Sequence, residues 1–244
     1  MVTPLSWQTA PSTPVLNGND IHVYYVNTSL FQDQIKELFH LLSSTEQNRA
    51  QNISHTKQKN TFIITKAFLR KILSQYLGAP EQQISLEIEK NGKPFLGSCH
   101  NSSIQFNLAH SHDKSILAFC LKTPLGIDLE KIRLISHAQK ILTKYGSEQE
   151  KRSYNAVPEK HKKEAFLRGW TKKEALIKAQ GHKMATHANK YAVNFSLFPK
   201  DKLFNVEMAN ENIQSWALYD LTIEDYVGTI ALQRQNNKLS LWHV

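Results

Sequence analysis

Two patterns, an alternating run at 125–130 and a charged run at 170–178, limit the folds open to this chain more than any other feature. The first run alternates apolar residues with polar or small ones, which is the period of a strand buried on one face. In the second, Trp170, Glu174 and Lys178 recur every four residues and therefore share one face of a helix. A chain with both patterns must pack helices against sheets, so a mixed α and β structure is predicted.

The polar positions of the strand bring carboxylates together. Side chains two residues apart on a strand point to the same face, roughly 6.6 Å apart, so Asp128 and Glu130 are predicted to lie side by side. Like charges this close are unfavourable unless a cation or a proton lies between them. A divalent cation that prefers oxygen ligands, above all Mg²⁺, is the usual partner, and Glu174 of the helix can supply a third carboxylate. The alternative is a solvated surface pair between Glu174 and Lys178.

The other strong patterns are a long helix and several short strands. Residues 57–77 have apolar side chains at helical spacing, and Gly78 ends the run. Most of the basic residues along this helix are expected to be solvated; the basic residues are Lys57, Lys59, Lys66, Arg70 and Lys71. Later strands are predicted at 191–197, 203–208, 214–221 and 226–233, with Trp242 in a final one. Because Thr123-Pro124 forms a natural joint, two halves are predicted, 1–122 and 125–244.

The charge of the chain indicates an acidic partner. The formal net charge is +9 and the isoelectric point about 9.4, which favours a nucleic acid, an anionic membrane or an acidic protein. No stripe of basic residues interleaved with aromatics is present, so no nucleic acid is expected. There is no apolar run of about 18 residues, hence no membrane span is expected. Two cysteines and no visible signal peptide favour a cytoplasmic protein.

Four segments together resemble a known family. They are GKPFL at 92–96, FNLAHS at 106–111, GIDLEKI at 126–132 and WTKKEALIK at 170–178. In this order they are similar to the motifs of the 4′-phosphopantetheinyl transferase superfamily, although Ala109 stands where that family usually has serine. The length resembles the Sfp (surfactin-synthetase-activating) type.

The resemblance implies an α+β fold with a pseudo-twofold pair of similar halves. Each half would pack a small antiparallel sheet on a long helix, with the active site in the cleft between the halves. It also implies a monomer.

The resemblance further implies roles for individual residues. Asp128, Glu130 and Glu174 would bind Mg²⁺, for which Mn²⁺ could substitute, and the catalytic residues would be Glu174, Lys178 and Asp128. The residues implied to contact coenzyme A are His110, Ser111, Lys93, Thr61, Arg49 and Lys173. Gln47 and Ala50 stand where relatives often have basic residues, a departure from the pattern.

The implied reaction transfers 4′-phosphopantetheine from coenzyme A to a serine of an acidic apo carrier protein and releases adenosine 3′,5′-bisphosphate. Two alternatives remain open. One is a catalytically weak relative that only binds carrier proteins, although the metal carboxylates and Lys178 are all present. The other is a basic, metal-dependent nucleic-acid-binding protein. A zinc site at His110-x-His112 is disfavoured because no third ligand has a suitable spacing.

Overall fold

The structure is a computed structural model that describes residues 6–188, 191–195, 203–207, 213–233 and 237–244. Its strands are β1 (Gln8–Thr9), β2 (Asp20–Asn27), β3 (Leu86–Ile88), β4 (Pro94–Leu96), β5 (Ile104–Ser111), β6 (Lys114–Leu121), β7 (Leu125–Lys131), β8 (Leu203–Glu207), β9 (Ile213–Ile223), β10 (Tyr226–Leu232) and β11 (Lys238–His243).

The α-helices are α1 (Ile35–His40), α2 (Ser44–Gln51), α3 (Thr56–Leu77), α4 (Ala138–Tyr145), α5 (Glu148–Asn155), α6 (Lys162–Ala179) and α7 (Met184–His187). Short 3₁₀ turns lie at Thr28–Gln34, Glu81–Gln83, Ser98–His100 and Glu159–His161. None of the helices within the described ranges is long and apolar enough to cross a membrane.

Two sheets form the centre of the molecule. The first has the strand order β1-β11-β2-β6-β5 and the second the order β7-β10-β9-β8, while β3 and β4 form a separate hairpin. The facing sides of the sheets share one apolar core, to which β2, β6, β7 and β10 all contribute. On the outer faces, α3 covers the first sheet and α6 covers the second. The layers therefore run helix, sheet, sheet, helix, and the predicted α+β class is confirmed.

The alternation of β7 determines what each face contacts. Leu125, Ile127 and Leu129 lie in the core between the sheets, so the even-numbered residues face α6. Gly126 lies directly under this helix, where a Cβ would be 2.5 Å from the backbone nitrogen of Ala179. Only glycine allows this close approach, which brings α6 next to Asp128.

The first sheet differs from the antiparallel prediction. Strand β11 runs parallel to β2 and to β1, so this sheet is mixed, and the last strand of the chain joins the sheet of the first half. Parallel neighbours need a long connection between them, and here nearly the whole chain, from α1 to β10, lies between β2 and β11. The division at 123–124 stays a prediction.

One further prediction about elements is wrong. Residues 191–195 form no strand, although Tyr191, Val193 and Phe195 are buried in alternation, and 196–197 lie outside the described residues. Side chains of α5 bind the backbone here: Glu150 accepts from Val193 N at 2.9 Å and Ser153 from Phe195 N at 3.3 Å.

Two of the five basic residues of α3 are buried, whereas the other three are exposed or partly exposed. Glu46 pairs with the buried two, with Arg70 at 2.6 Å and with Lys66 at 3.8 Å.

Candidate active site

The carboxylates of β7 meet the polar face of α6. Lys178 Nζ lies 2.6 Å from Asp128 Oδ1 and 3.6 Å from Glu174 Oε2, and it also donates to the carbonyl of Ile127 at 3.3 Å. Glu130, two residues further along the strand, accepts a hydrogen bond from Ser111 Oγ at 2.9 Å. Strand and helix periodicity thus bring the predicted residues of both motifs to one place.

This cluster carries more negative than positive charge. Burial raises the pKa of Asp128 to about 7 against the opposing effect of Lys178, and the Glu174 and Glu130 carboxylates raise it further. Burial alone would lower the pKa of Lys178, yet Asp128 and Glu174 hold it above its usual value. Both groups therefore hold their protons more tightly, as expected where three carboxylates face one ammonium.

A cleft of about 320 Å³ opens beside this cluster, where α3, the β3–β4 hairpin, β5 and the end of α6 meet. Six of its lining residues carry or can carry positive charge: Arg49, Lys66, Lys93, His110, Lys178 and His182. The rest include Phe62, Thr65, Ile88, Asn91 and Asn107. The guanidinium of Arg49 stacks on the ring of Phe62 at 5.3 Å.

Burial is the main cause that lowers the pKa of two cationic groups of the cleft. Arg49 and Arg70 add to the effect of burial on the pKa of Lys66, against the effect of Glu46. Burial, followed by the charge of Lys178, lowers the pKa of His110. An anion bound in the cleft would reduce the repulsion between these neighbouring positive charges.

Lys93 joins the hairpin to both motifs of the second half. Its ammonium donates to the carbonyls of Leu125 at 3.0 Å and of Lys178 at 3.1 Å. Burial lowers its pKa, partly offset by Glu89. Lys93 therefore lines the cleft as predicted, but it also ties the start of β7 to the end of α6.

Other predicted ligand contacts lie elsewhere. Lys173 is buried on the opposite side of α6, where its ammonium donates to Tyr145 O (3.0 Å), Glu150 Oε2 (2.8 Å) and Ala188 O (2.6 Å). These contacts occupy its three protons, so the structure does not bring Lys173 to the cleft, and the sequence-based assignment is corrected here. Thr61 is buried on α3, one turn before the cleft residue Thr65.

Ser111 and the two departures from the family pattern have local partners. Ser111 Oγ donates to Glu130 and accepts from Lys131 N at 3.2 Å, so this side chain orients β7. Gln47 donates to the carbonyls of Phe39 and Leu42, and Ala50 is buried in the core under α3. These positions stabilise the turn around α2, and Arg49 is the α2 residue that lines the cleft.

Sequence reasoning missed several cleft residues. Thr65 and Lys66 lie three and four residues after Phe62, one turn further along α3, so their shared face was readable from helical spacing. Asn107, within the FNLAHS segment, accepts from Ile127 N at 2.9 Å and bonds β5 to β7. Among the described residues, no group of three or more His, Cys, Asp or Glu side chains is arranged to hold a metal ion.

Comparisons with known proteins agree with this geometry. A family model described as "4′-phosphopantetheinyl transferase superfamily" matches residues 124–231, and one described as "4′-phosphopantetheinyl transferase, N-terminal" matches 30–122. The 4′-phosphopantetheinyl transferase HetI of Nostoc sp. is 28% identical over 98% of both chains. The 4′-phosphopantetheinyl transferase psf-1 of Bacillus pumilus is 30% identical over 61% of each chain. The L-aminoadipate-semialdehyde dehydrogenase-phosphopantetheinyl transferase of Xenopus laevis is 27% identical over 56% of this chain and 48% of its own.

The two family models together span most of the chain, and they contain the four motifs whose residues line or adjoin one cleft. The chain therefore belongs to the 4′-phosphopantetheinyl transferase superfamily and is an enzyme of that class.

Proposed function

We propose that this enzyme transfers 4′-phosphopantetheine from coenzyme A to a serine hydroxyl of an apo carrier protein, with Mg²⁺. The serine oxygen forms a bond to the phosphorus next to pantetheine. The bond from that phosphorus to the bridging oxygen of the diphosphate breaks, and adenosine 3′,5′-bisphosphate leaves. The proton of the serine is passed to the enzyme.

One observation carries the proposal: a cation-lined cleft adjoins a buried carboxylate cluster. Coenzyme A has a 3′-phosphate and a diphosphate, so its nucleotide part suits a cleft lined by Arg49, Lys66 and His110. The next anionic group, the diphosphate, would then reach Asp128 and Glu174. Those carboxylates would repel it unless a cation lies between them.

The chemistry of the donor set suits Mg²⁺, although the three carboxylates are not gathered around a common point among the described residues. Asp128 Oδ2 is buried and has no hydrogen-bond partner within the described part of the chain. The residues that would hold the ion are Asp128, Glu130 and Glu174, all of which offer the carboxylate oxygen that Mg²⁺ prefers. When bound, Mg²⁺ supplies neutralisation of the diphosphate charge.

Side chains of α6 would carry out the proton transfer from serine and stabilise the leaving group. Glu174 is a partly exposed carboxylate on α6 beside Lys178, which suits it to accept the proton of the attacking serine. Lys178 faces both this carboxylate and the cleft, so its ammonium would stabilise the charge that develops on the leaving group. His110 would contact phosphate on the nucleotide side of the cleft.

The carrier is proposed to be acidic, because a net charge of +9 would steer an acidic partner towards this surface. A monomeric state and a cytoplasmic location are parts of the same proposal. Neither Cys99, which is exposed, nor Cys120, which is buried, forms a disulfide, which suits a reducing compartment.

Mass spectrometry of an apo carrier protein, incubated with the enzyme, coenzyme A and Mg²⁺, tests the proposal. The carrier should gain the mass of one phosphopantetheine, and Glu174→Gln should slow the gain by at least ~10²-fold. Glu148→Gln removes an exposed carboxylate of α5 that pairs with Lys151 of the same helix, and this variant should react at the wild-type rate. An unchanged carrier mass with several acidic carriers, including those of the host, would refute the transfer.

A further inference from the structure

A second pocket adjoins the carboxylate cluster at Glu130. It encloses about 250 Å³ between the loop that follows β7, helix α4 and helix α6. Its apolar lining residues are Leu134, Ile135, Ile141, Phe166, Leu167 and Trp170. None of the steps assigned to Asp128, Glu174 and Lys178 uses this second pocket, so it is open to a further role.

The cleft, the carboxylates and the second pocket follow one another along two elements. On α6, Lys178 lines the cleft, Glu174 lies one turn before it, and Trp170, one turn earlier again, lines the second pocket. On β7, Asp128 pairs with Lys178, and Glu130, two residues further on, lines the second pocket. Helix and strand therefore give the same order.

The groups of coenzyme A have this order as well. A nucleotide with a 3′-phosphate comes first, then the diphosphate, then the pantetheine arm. With the nucleotide in the cleft and the diphosphate at the carboxylates, the arm would leave on the side of Glu130, where the second pocket begins. The arm starts with a CH₂ group bonded to a carbon that carries two methyl groups, and it continues through a hydroxyl and two amides to the thiol.

The second pocket has an apolar floor and a polar rim, which suits such an arm. Phe166 and Leu167 are buried, and the ring of Trp170 stacks on Phe166 with an interplanar angle of 11° and a centroid distance of 6.0 Å. These side chains offer apolar surface to the methyl groups. Arg133 and Ser136 are exposed at the rim, where the hydroxyl and the amides of the arm would keep polar surroundings.

We propose that the second pocket binds the pantetheine arm of coenzyme A, with the two methyl groups against Trp170 and Ile135. The inference rests on the proposed function for the identity of the ligand. It adds to that function a binding site for the part of coenzyme A that is transferred, and this site would orient the reacting phosphorus from the side opposite to the nucleotide.

Titration calorimetry with two ligands, in the presence of Mg²⁺ and without a carrier protein, tests the site. Adenosine 3′,5′-bisphosphate has no pantetheine arm, so it is the reference ligand. Ile135→Trp fills the second pocket and should raise Kd for coenzyme A about tenfold, roughly the effect of taking two methyl groups out of apolar contact. Kd for the bisphosphate should stay unchanged. Ile135→Leu keeps the volume and should leave both Kd values unchanged.

Val15→Trp is the matched control, because it enlarges an apolar side chain that is exposed and does not line the second pocket. It should bind both ligands like the wild type. Thermal unfolding of each variant separates loss of fold from loss of contact. If Ile135→Trp unfolds at a lower temperature, Leu134→Trp fills the same pocket from an exposed position and should show the same selective loss of affinity for coenzyme A.

The carrier-loading assay supplies a second readout. In the filled variants, KM for coenzyme A should rise, while KM for the carrier protein stays unchanged. A higher KM for the carrier with an unchanged Kd for coenzyme A would assign the second pocket to carrier docking and overturn the inference. Equal losses of affinity for coenzyme A and for the bisphosphate would also overturn it.

The two proposals fail differently. A wild-type enzyme that binds coenzyme A but loads no carrier refutes the proposed transfer, while the comparison of the two ligands still decides whether the arm is bound in the second pocket. A wild-type enzyme that loads carriers, with filled variants that bind coenzyme A normally, refutes only this inference. If the wild type does not bind coenzyme A, both proposals are wrong.

Discussion

Gly126→Ala should damage the site by moving α6. A Cβ at this position would meet the backbone of α6, with Ala179 N at 2.5 Å and the carbonyl of Ala175 closer still. Ordinary contact begins near 3.4 Å, so the helix must retreat by at least about 0.9 Å. A backbone neighbour cannot rotate away as a side chain can. Glu174 and Lys178 are on the displaced helix, so the pair of 2.6 Å between Lys178 and Asp128 would lengthen to roughly 3.5 Å.

Two measurements check this expectation. Overpacking of this kind costs about 1–3 kcal/mol, which urea unfolding at constant m-value would measure. A shift of catalytic groups by about 1 Å can lower turnover by ~10²-fold, which the carrier-loading assay would measure. Gly18→Ala is the matched control, because a Cβ there meets nothing within 4 Å. If Gly126→Ala keeps wild-type stability and turnover, α6 is not held against β7 as described.

Three further changes probe other parts of the structure. Lys173→Met should lower the free energy of unfolding by about 3–5 kcal/mol, because Glu150 is left buried without its partner, while Kd for coenzyme A stays unchanged. Burial, opposed by Asp20, lowers the pKa of His22 to about 4. As pH falls, His22 therefore gains its proton at a higher pH in the unfolded chain than in the folded one. Up to about 3 kcal/mol of stability is lost as pH falls from about 6.5 to 4. In His22→Gln, the pH dependence of the free energy of unfolding, measured by urea denaturation, should be smaller. Glu174→Gln and Lys178→Ala should each cut turnover by at least ~10²-fold, but only Glu174→Gln should weaken Mg²⁺ binding. If both variants turn over at the wild-type rate, Glu174 and Lys178 form only a surface ion pair without a catalytic role.

The strand-and-helix geometry of the site was predictable because both periods are enforced by burial. A sheet with one face in the core cannot shift by one residue without exposing that face. Alternation at 125–130 therefore places Asp128 on the side opposite Ile127, and the structure confirms it. The same logic holds for Glu174 and Lys178, which lie one turn apart and come within 3.6 Å.

Lys173 shows where such reasoning fails. Adjacent residues of a helix are about 100° apart around its axis, so Lys173 and Glu174 cannot serve the same face. The sequence does not reveal which of the two side chains is buried, because a buried lysine needs hydrogen-bond and ion-pair partners that are distant in the chain. Here Glu150 lies 23 residues away, and its own carboxylate also binds Val193 N.

The prediction of a final strand that contains Trp242 is confirmed by β11, but the sheet that β11 joins and the structure of 191–195 were not predicted, for a related reason. Alternating burial predicts an extended segment, but it does not predict the partner of the backbone. At 191–195 the partners are side chains of α5. At β11 the partner is β2, more than 200 residues earlier in the chain, and nothing in the local sequence distinguishes the first sheet from the second.

The motifs of the first half have a structural role in addition to any contact with ligand. Lys93 bonds the carbonyls of Leu125 and Lys178, Asn107 bonds Ile127 N, and Ser111 bonds Glu130. Each of these bonds holds a part of the segment that carries the carboxylates or the helix that faces them. A variant of such a residue can therefore lose turnover because the carboxylates move, with its affinity for coenzyme A intact. Loss of activity alone does not assign a ligand contact in this cleft, and only binding measured apart from turnover separates the two roles.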